Sequence, residues 1–461
     1  MSTNISRRKV VAGAAWAAPV VAASAAVPAF ASSTECEWAS SAAYSVEGTS
    51  AGAKSTTSFT VPERVDKIKF EVVGGAGGTN YDDIAAGSGA KITGIIEVKP
   101  GQTVQLVGAA GGIGNGPLSP AEGGEGYGNG GSSNLPTPIP SSIMQQVNTI
   151  WPDDSANKRI TYSASGGGSS ALLIDGTPVA VAGGGGGAGF INAGGANNPK
   201  GLVQPGAVDA GYLWPDGAKR NAAPVIGSTG GSAEAAAGSA GDAGSLTRTA
   251  DTTQITTVNA GEGGSAGIGG NGGSKTALPT GKSTNGVIGY YSTNNQEIFQ
   301  SSNSGNNGGA GFNGAGGDGV GSYSYMIDNN PKSLTEPAQG QVNGLEYKSH
   351  GFNFNGYESV ISAGGGAGYG GGGSGASTSS MGIVLTQKWN NNPKGVRQNT
   401  DFGQLGGGGG AGGSYVAPAV SGGTITSAGN APTARNTRGN GYVKVTLCQR
   451  YERPQRYERP Q

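Results

Sequence analysis

The sequence predicts an all-β domain in which short strands alternate with glycine segments packed against one another. Three observations lead there. Glycine makes up 92 of the 461 residues, about a fifth of the chain against a usual share of roughly 7%. Charged residues are only 13%, about half the ordinary share. Short apolar runs with period two, the mark of half-buried strands, lead directly into the glycine runs. Glycine loses the most conformational entropy on folding and costs about 1 kcal/mol at a helical position, which excludes a helical bundle or an ordinary α/β enzyme. Collagen is excluded too: no G-X-Y period runs through the chain, and its 23 prolines are only about 5% of it.

The N-terminus carries Ser6-Arg7-Arg8-Lys9, an alanine-rich apolar run to Val27, and Ala29-Phe30-Ala31. A charged start, an apolar middle and an A-x-A end read as a signal peptide over residues 1–31. Arg7 and Arg8 after a serine resemble a twin-arginine signal. The weakly hydrophobic middle, interrupted by Pro19, suits that route better than the leucine-rich general one, and it makes a poor membrane anchor. Cleavage is expected after Ala31. It removes three of the 29 Lys and Arg residues and none of the 29 acidic ones, leaving a net charge of about −3. Such a chain has no electrostatic footprint for nucleic acid, which needs clustered Lys and Arg. No second run of 18 apolar residues follows, so no membrane span is expected after signal removal.

Cys36 and Cys448 bracket the rest of the chain. Export places them in an oxidising compartment, where a disulfide tying the first and last segments is expected; two free thiols are the alternative. Two distant cysteines and a single histidine do not supply a tetrahedral metal set, and no cofactor is expected.

The strands follow in order. Residues 58–61 and 67–73 come first, and the second of these alternates with period two before entering Gly74-Gly75-Ala76-Gly77-Gly78. Residues 90–98, the turn Lys99-Pro100-Gly101-Gln102 and residues 103–107 form the next pair, ending at Gly108. Residues 171–174 and 177–182 read as a hairpin, because Asp175-Gly176 supplies the positive φ angles of a type I′ turn. Residues 441–447 form the last strand. The glycine runs are 108–114, 123–131, 183–189, 261–273, 305–321, 364–375 and 406–413. Flexible linkers are one reading of them. In the other, each run is an extended helix of three residues per turn, close to polyproline II, whose outward backbone groups bond to neighbouring runs. Their interleaving with strands, and the scarcity of Ser, Glu and Lys within them, favour the packed bundle.

Segments of ordinary composition lie between: 134–162, 198–226, 276–303 and 322–360. Ile143, Met144, Val147, Ile150 and Trp151 stand at helical spacing, and Pro152 ends that helix. The aromatics Tyr290, Tyr291, Tyr323, Tyr325, Phe352 and Phe354 either pack these segments onto the core or form a contact surface. Residues 449–461 are expected to be an exposed tail. It contains Arg-Tyr-Glu-Arg-Pro-Gln twice, as a solubilising end or as a docking segment for an acidic envelope polymer.

Together, the Gly74–Gly78 segment after its strand, the Gly101-Gln102-Thr103 turn and the Asp175–Gly189 hairpin resemble a known family. It comprises bacterial glycine-rich surface proteins and the extracellular glycine-rich domain of the anaplastic lymphoma kinase and leukocyte kinase receptors. The matching stretches are 59–78, 92–112, 169–189, 305–317, 364–375 and 406–445. The resemblance implies a TNF-like or jelly-roll β-sandwich with an inserted polyglycine-II helix bundle, over residues 32–448. Unlike the receptors, this sequence has two cysteines and neither a kinase domain nor a membrane span, so no ligand-contact residues carry over.

Catalytic signatures are weak. Gly126 to Gly131 match G-x-G-x-x-G without a strand–helix context, and about four chance matches are expected in so glycine-rich a chain. Gly281-Lys282-Ser283 resembles the end of a P-loop, but Thr276 stands where its first glycine is required. A triad would have to use His350, yet no G-x-S-x-G elbow appears beside a strand and helix. Asp82-Asp83 and Asp153-Asp154 lack calcium-loop spacing and read as solvated loop acids. No catalytic, cofactor-binding or metal-binding residue is therefore assigned, and no enzyme is expected. The expected function is a secreted structural or adhesive protein of the bacterial cell exterior. Its partners would be cell-envelope or host-surface polymers, or other copies of itself. A secreted ligand- or glycan-binding module is the alternative, and a secreted hydrolase a remote one.

Overall fold

The computed structural model describes residues 36–80, 85–116, 119–135, 139–150, 158–195, 211–213, 219–221, 231–233, 236–241, 244–247, 254–275, 296–328, 338–342, 345–349, 356–389 and 392–450. Among them the fold is all-β, with one helix at Ser141–Ile150. Two antiparallel sheets form its centre. In the first, the order is Glu37–Trp38, Tyr442–Gln449, Val65–Val73, Ala90–Glu97 and Ser421–Ser427, with Tyr44–Glu47 also on Tyr442–Gln449. In the second it is Tyr415–Val416, Thr177–Ala182, Ser170–Ile174, Thr103–Gly108 and Ser55–Thr60.

The period-two pattern decides how these sheets meet. Ile68, Phe70 and Val72 point inward while Lys69 and Glu71 face out. Ile92, Val443 and Val445 join them from the first sheet, and Phe59, Val104, Leu106 and Leu172 come from the second. This single apolar core makes the pair a β-sandwich, and each fully buried large side chain contributes about 1.5–3 kcal/mol. The expected disulfide closes it: Cys36 joins Cys448, 412 residues apart, with Cα atoms 5.3 Å apart.

The turns have the predicted chemistry. Asp175 and Gly176 adopt φ of 48° and 77°, as a type I′ hairpin requires. The Asp175 carboxylate also accepts from the Thr103 amide at 2.8 Å and from Gln102 Nε2 at 2.9 Å, locking the hairpin tip to the turn before the adjacent strand.

The central glycine segments are buried, and their backbone groups bond sideways. Ala363 and Gly366 donate to Gly407 and Gly410, at 3.0 and 2.8 Å. Gly364 and Ala367 donate to Ala164 and Gly167, at 3.2 and 3.0 Å. Gly365 and Gly368 donate to Gly317 and Gly314, both at 2.9 Å. Three successive residues thus face three different neighbours, and the fourth returns to the first. The 183–189 run behaves likewise: Gly184 and Gly187 donate to Ala367 and Gly364, while Gly185 and Ala188 donate to Gly75 and Gly78. With no side chains to hold the segments apart, the backbone itself satisfies the buried donors and acceptors.

The intervening segments build more sheet than their composition suggested. Gln296–Phe299, Gly321–Asp328, Gly356–Ile361 and Lys158–Tyr162 form one four-stranded sheet. Phe190–Gly195, Asn392–Gly406, Ser377–Trp389 and Ser301–Asn303 form another. A buried polar seam joins them. Ser322 meets Ser377 at 2.7 Å, Ser324 meets Ser379 at 2.9 Å, and Gln404 Nε2 donates to Glu358 at 2.5 Å. The alternate residues Tyr323 and Tyr325 stack with Phe299 and pack with Ile139, Ile143 and Met144 at the start of the predicted helix. Of the six aromatics weighed as a contact surface, these two follow the packing alternative. Tyr290, Tyr291, Phe352 and Phe354 lie outside the described residues.

Candidate functional site

Four glycine runs each carry or end on one aromatic: Gly126-Tyr127-Gly128, Gly311-Phe312-Asn313, Gly368-Tyr369-Gly370 and Ser414-Tyr415. The fold brings all four to the outer face of the second sheet. Val107, Ala171, Val181 and Tyr415 lie in one row across four neighbouring strands. Tyr127, Phe312 and Tyr415 pack against that row and Leu173. Phe312 stacks on Tyr369 with centroids 4.7 Å apart and planes 19° from parallel. Tyr415 meets both edge-on, at 4.9 and 5.1 Å. The aliphatic row beneath is buried, whereas the four rings stay half-exposed.

A tight turn borders the cluster. Ala266 and Gly267 have φ of 49° and 75°, and Ser265 and Ile268 exchange backbone hydrogen bonds of 3.0 and 2.8 Å. The Gly267 amide donates to the Tyr369 carbonyl at 3.3 Å. The turn carries Ile268, which at 69% exposure is the most exposed large apolar side chain among the described residues.

Residues 126–129, 264–268, 309–314, 368–370 and 413–416 contain no charged side chain. Their backbone amides are largely spent: Gly311 donates to Gly267, Gly368 to Gly314, Tyr369 to Gly413 and Gly370 to Gly311. Stacking, van der Waals contact and hydrogen bonds from the tyrosine hydroxyls and the Asn129 and Asn313 amides are therefore the chemistry these segments offer.

The predicted residues divide clearly. Cys36 and Cys448 are joined. Arg7, Arg8 and Ala31, together with His350, Asp82, Asp83, Asp153, Asp154 and residues 281–283, lie outside the described residues. In the G-x-G-x-x-G match, Gly128 donates to Ser169 Oγ, Gly130 to Gly124 and Gly131 to Gly365, so these amides hold the fold together. Among the described residues no group of three or more His, Cys, Asp or Glu could hold a metal ion, and no helix is long and apolar enough to cross a membrane. The aromatic cluster was missed from sequence. Its available signal was a lone aromatic embedded in otherwise side-chain-poor runs.

Among the described residues one titrating group is strongly shifted, on the outer face of the first sheet. Tyr442 is pushed up to about 12 by burial and by the hydrogen bond it donates to Glu71. Burial pushes the Glu71 carboxyl up, but the Tyr442 hydroxyl and Lys91 Nζ at 3.0 Å outweigh it, and Glu71 titrates below its ordinary range. The folded state holds the Tyr442 proton where the unfolded chain releases it. Its contribution is complete below pH about 10 and is lost as pH rises toward about 12. Tyr442→Phe should flatten that alkaline fall in a series of thermal unfolding curves; an unchanged slope would assign the fall to other groups.

No protein-family model and no curated protein matches the chain.

Proposed function

We propose that this chain is a secreted, non-enzymatic structural or adhesive protein of the bacterial cell exterior. The observation that carries this reading is the three-residue hydrogen-bond period of the buried glycine segments. It supports assigning them as polyglycine-II helices bundled beside a TNF-like or jelly-roll sandwich, the architecture implied by the resemblance to glycine-rich surface proteins and receptor domains. A scaffold held by backbone bonds and one disulfide has few charges to titrate, which suits a protein working outside the cell. The features of residues 1–31 support twin-arginine export with cleavage after Ala31.

The half-exposed aromatic cluster favours a second reading, a secreted module that binds a ligand or glycan. Expression in a bacterium with a twin-arginine pathway tests the main one. The exported protein is expected to begin at Ser32 and to partition with the envelope, bind whole cells or self-associate. Retention in the cytoplasm, or a purified exported protein that neither binds cells nor assembles, would count against it.

A further inference from the structure

We propose that Phe312, Tyr369, Tyr415 and Tyr127 form a docking platform for a neutral, β-linked glycan. This deepens the second, glycan-binding reading and rests on it. Three features select the ligand class. First, Tyr127, Phe312 and Tyr415 are anchored on Val107, Ala171, Leu173 and Val181, Tyr369 is held by its ring contacts with Phe312 and Tyr415, and all four remain half-exposed. Aromatic side chains fixed in this way present an apolar body with polar tips. A β-linked hexopyranose with equatorial substituents presents C–H groups on its flat faces and hydroxyls at its edges, which is the matching pattern.

Second, the five segments that build the platform carry no charge. An anionic polymer, nucleic acid or basic peptide finds no counter-charge there, whereas a neutral saccharide needs none. The exposed amide side chains of Asn129 and Asn313 supply polar groups beside the rings. Few polar groups around an apolar floor is the usual composition of a small-ligand site. Third, the amides of Gly311, Gly368, Tyr369 and Gly370 already donate within the fold. A peptide adding as a strand would need a row of such groups unpaired, so side-chain stacking is the mode left.

The test uses purified protein beginning at Ser32, with cellohexaose and chitohexaose as probes, read by calorimetry and saturation-transfer NMR. At least one probe is expected to bind. Tyr369→Leu and Phe312→Leu keep an apolar side chain while deleting the ring. Each is expected to raise the half-saturation concentration about tenfold, a change of about 1.4 kcal/mol. Thr424→Ala, on the opposite sheet, should stay within about twofold. The ring resonances of Tyr369 and Tyr415 in the unmodified protein, assigned from Tyr→Phe variants, should shift on titration whether or not the leucine variants fold.

Absence of binding to both probes overturns the proposal. So do binding that both leucine variants leave intact, titration without shifts at Tyr369 and Tyr415, or a preference for decaproline or polygalacturonate. Attachment to whole cells without binding of either probe overturns this site alone and leaves the adhesive reading standing.

Discussion

Gly366→Ala is expected to destabilise the protein by about 3–6 kcal/mol, enough to abolish cooperative unfolding. A methyl group at Gly366 would lie 2.1 Å from the Gly184 carbonyl oxygen and 2.8 Å from that of Gly185. Neither neighbour is free to retreat. The Gly184 oxygen accepts from Gly412 at 2.9 Å, and the Gly184 amide donates to Ala367 at 2.7 Å. Relieving the clash therefore breaks buried backbone bonds in two adjoining segments. Overpacking costs about 1–3 kcal/mol, and each unsatisfied buried polar group adds about 1–3 more. Gly423→Ala is the matched control. It lies on the exposed edge strand Ser421–Ser427, where the added carbon meets only the Val416 and Val420 side chains, at 3.1 and 3.5 Å. Its effect should stay within about 0.5 kcal/mol. Guanidinium unfolding of the two variants decides the matter; equal midpoints would mean that the glycine segments are not packed as described.

Removing the disulfide has the second large effect. Cys36→Ala with Cys448→Ala should lower stability by about 5 kcal/mol, because the crosslink closes a loop of 412 residues whose freedom it removes from the unfolded chain. Native contacts add to this locally. Cys36 precedes the two-residue strand Glu37–Trp38, which pairs only with Cys448 and Gln449. On the other side, Arg450 Nε donates to Asp66 at 2.7 Å and the Arg450 amide to the Arg64 carbonyl at 3.0 Å. The last strand is thus held without the disulfide, whereas the first two-residue strand depends on it. Amide exchange should accordingly accelerate at 37–38 far more than at 443–447. Unfolding midpoints that do not differ between the oxidised protein and the double variant would refute the estimate.

Much of the sandwich was legible in the sequence because its signals are local. Alternation over residues 67–72 states which side chains point inward, and Asp175-Gly176 states the turn type. The helix at Ser141–Ile150 was equally readable from its apolar spacing and the proline beyond it. The long strands Ser377–Trp389 and Asn392–Gly406 were not. The part of them facing the neighbouring sheet is lined by Ser377, Ser379 and Gln404, whose partners Ser322, Ser324 and Glu358 lie tens of residues away. A hydroxyl pattern of this kind carries no hydrophobic period, so nothing local marks it as buried sheet. The candidate site escaped for a related reason. The aromatics conspicuous in the sequence stand in the ordinary segments, and of these Tyr323 and Tyr325 pack under the helix.

By itself the sequence pointed to the all-β class, to the longer strands of the sandwich and its Asp175-Gly176 turn, and to a disulfide between Cys36 and Cys448 as the expected pairing. Those features rest on side-chain alternation, glycine's backbone freedom and the presence of only two cysteines. The tertiary structure alone decided which glycine segment lies against which, and that Tyr127, Phe312, Tyr369 and Tyr415 share one surface. Glycine has no side chain with which to encode a neighbour. The choice is made by buried backbone groups seeking partners across hundreds of residues, and the aromatics are carried to their meeting place by that choice.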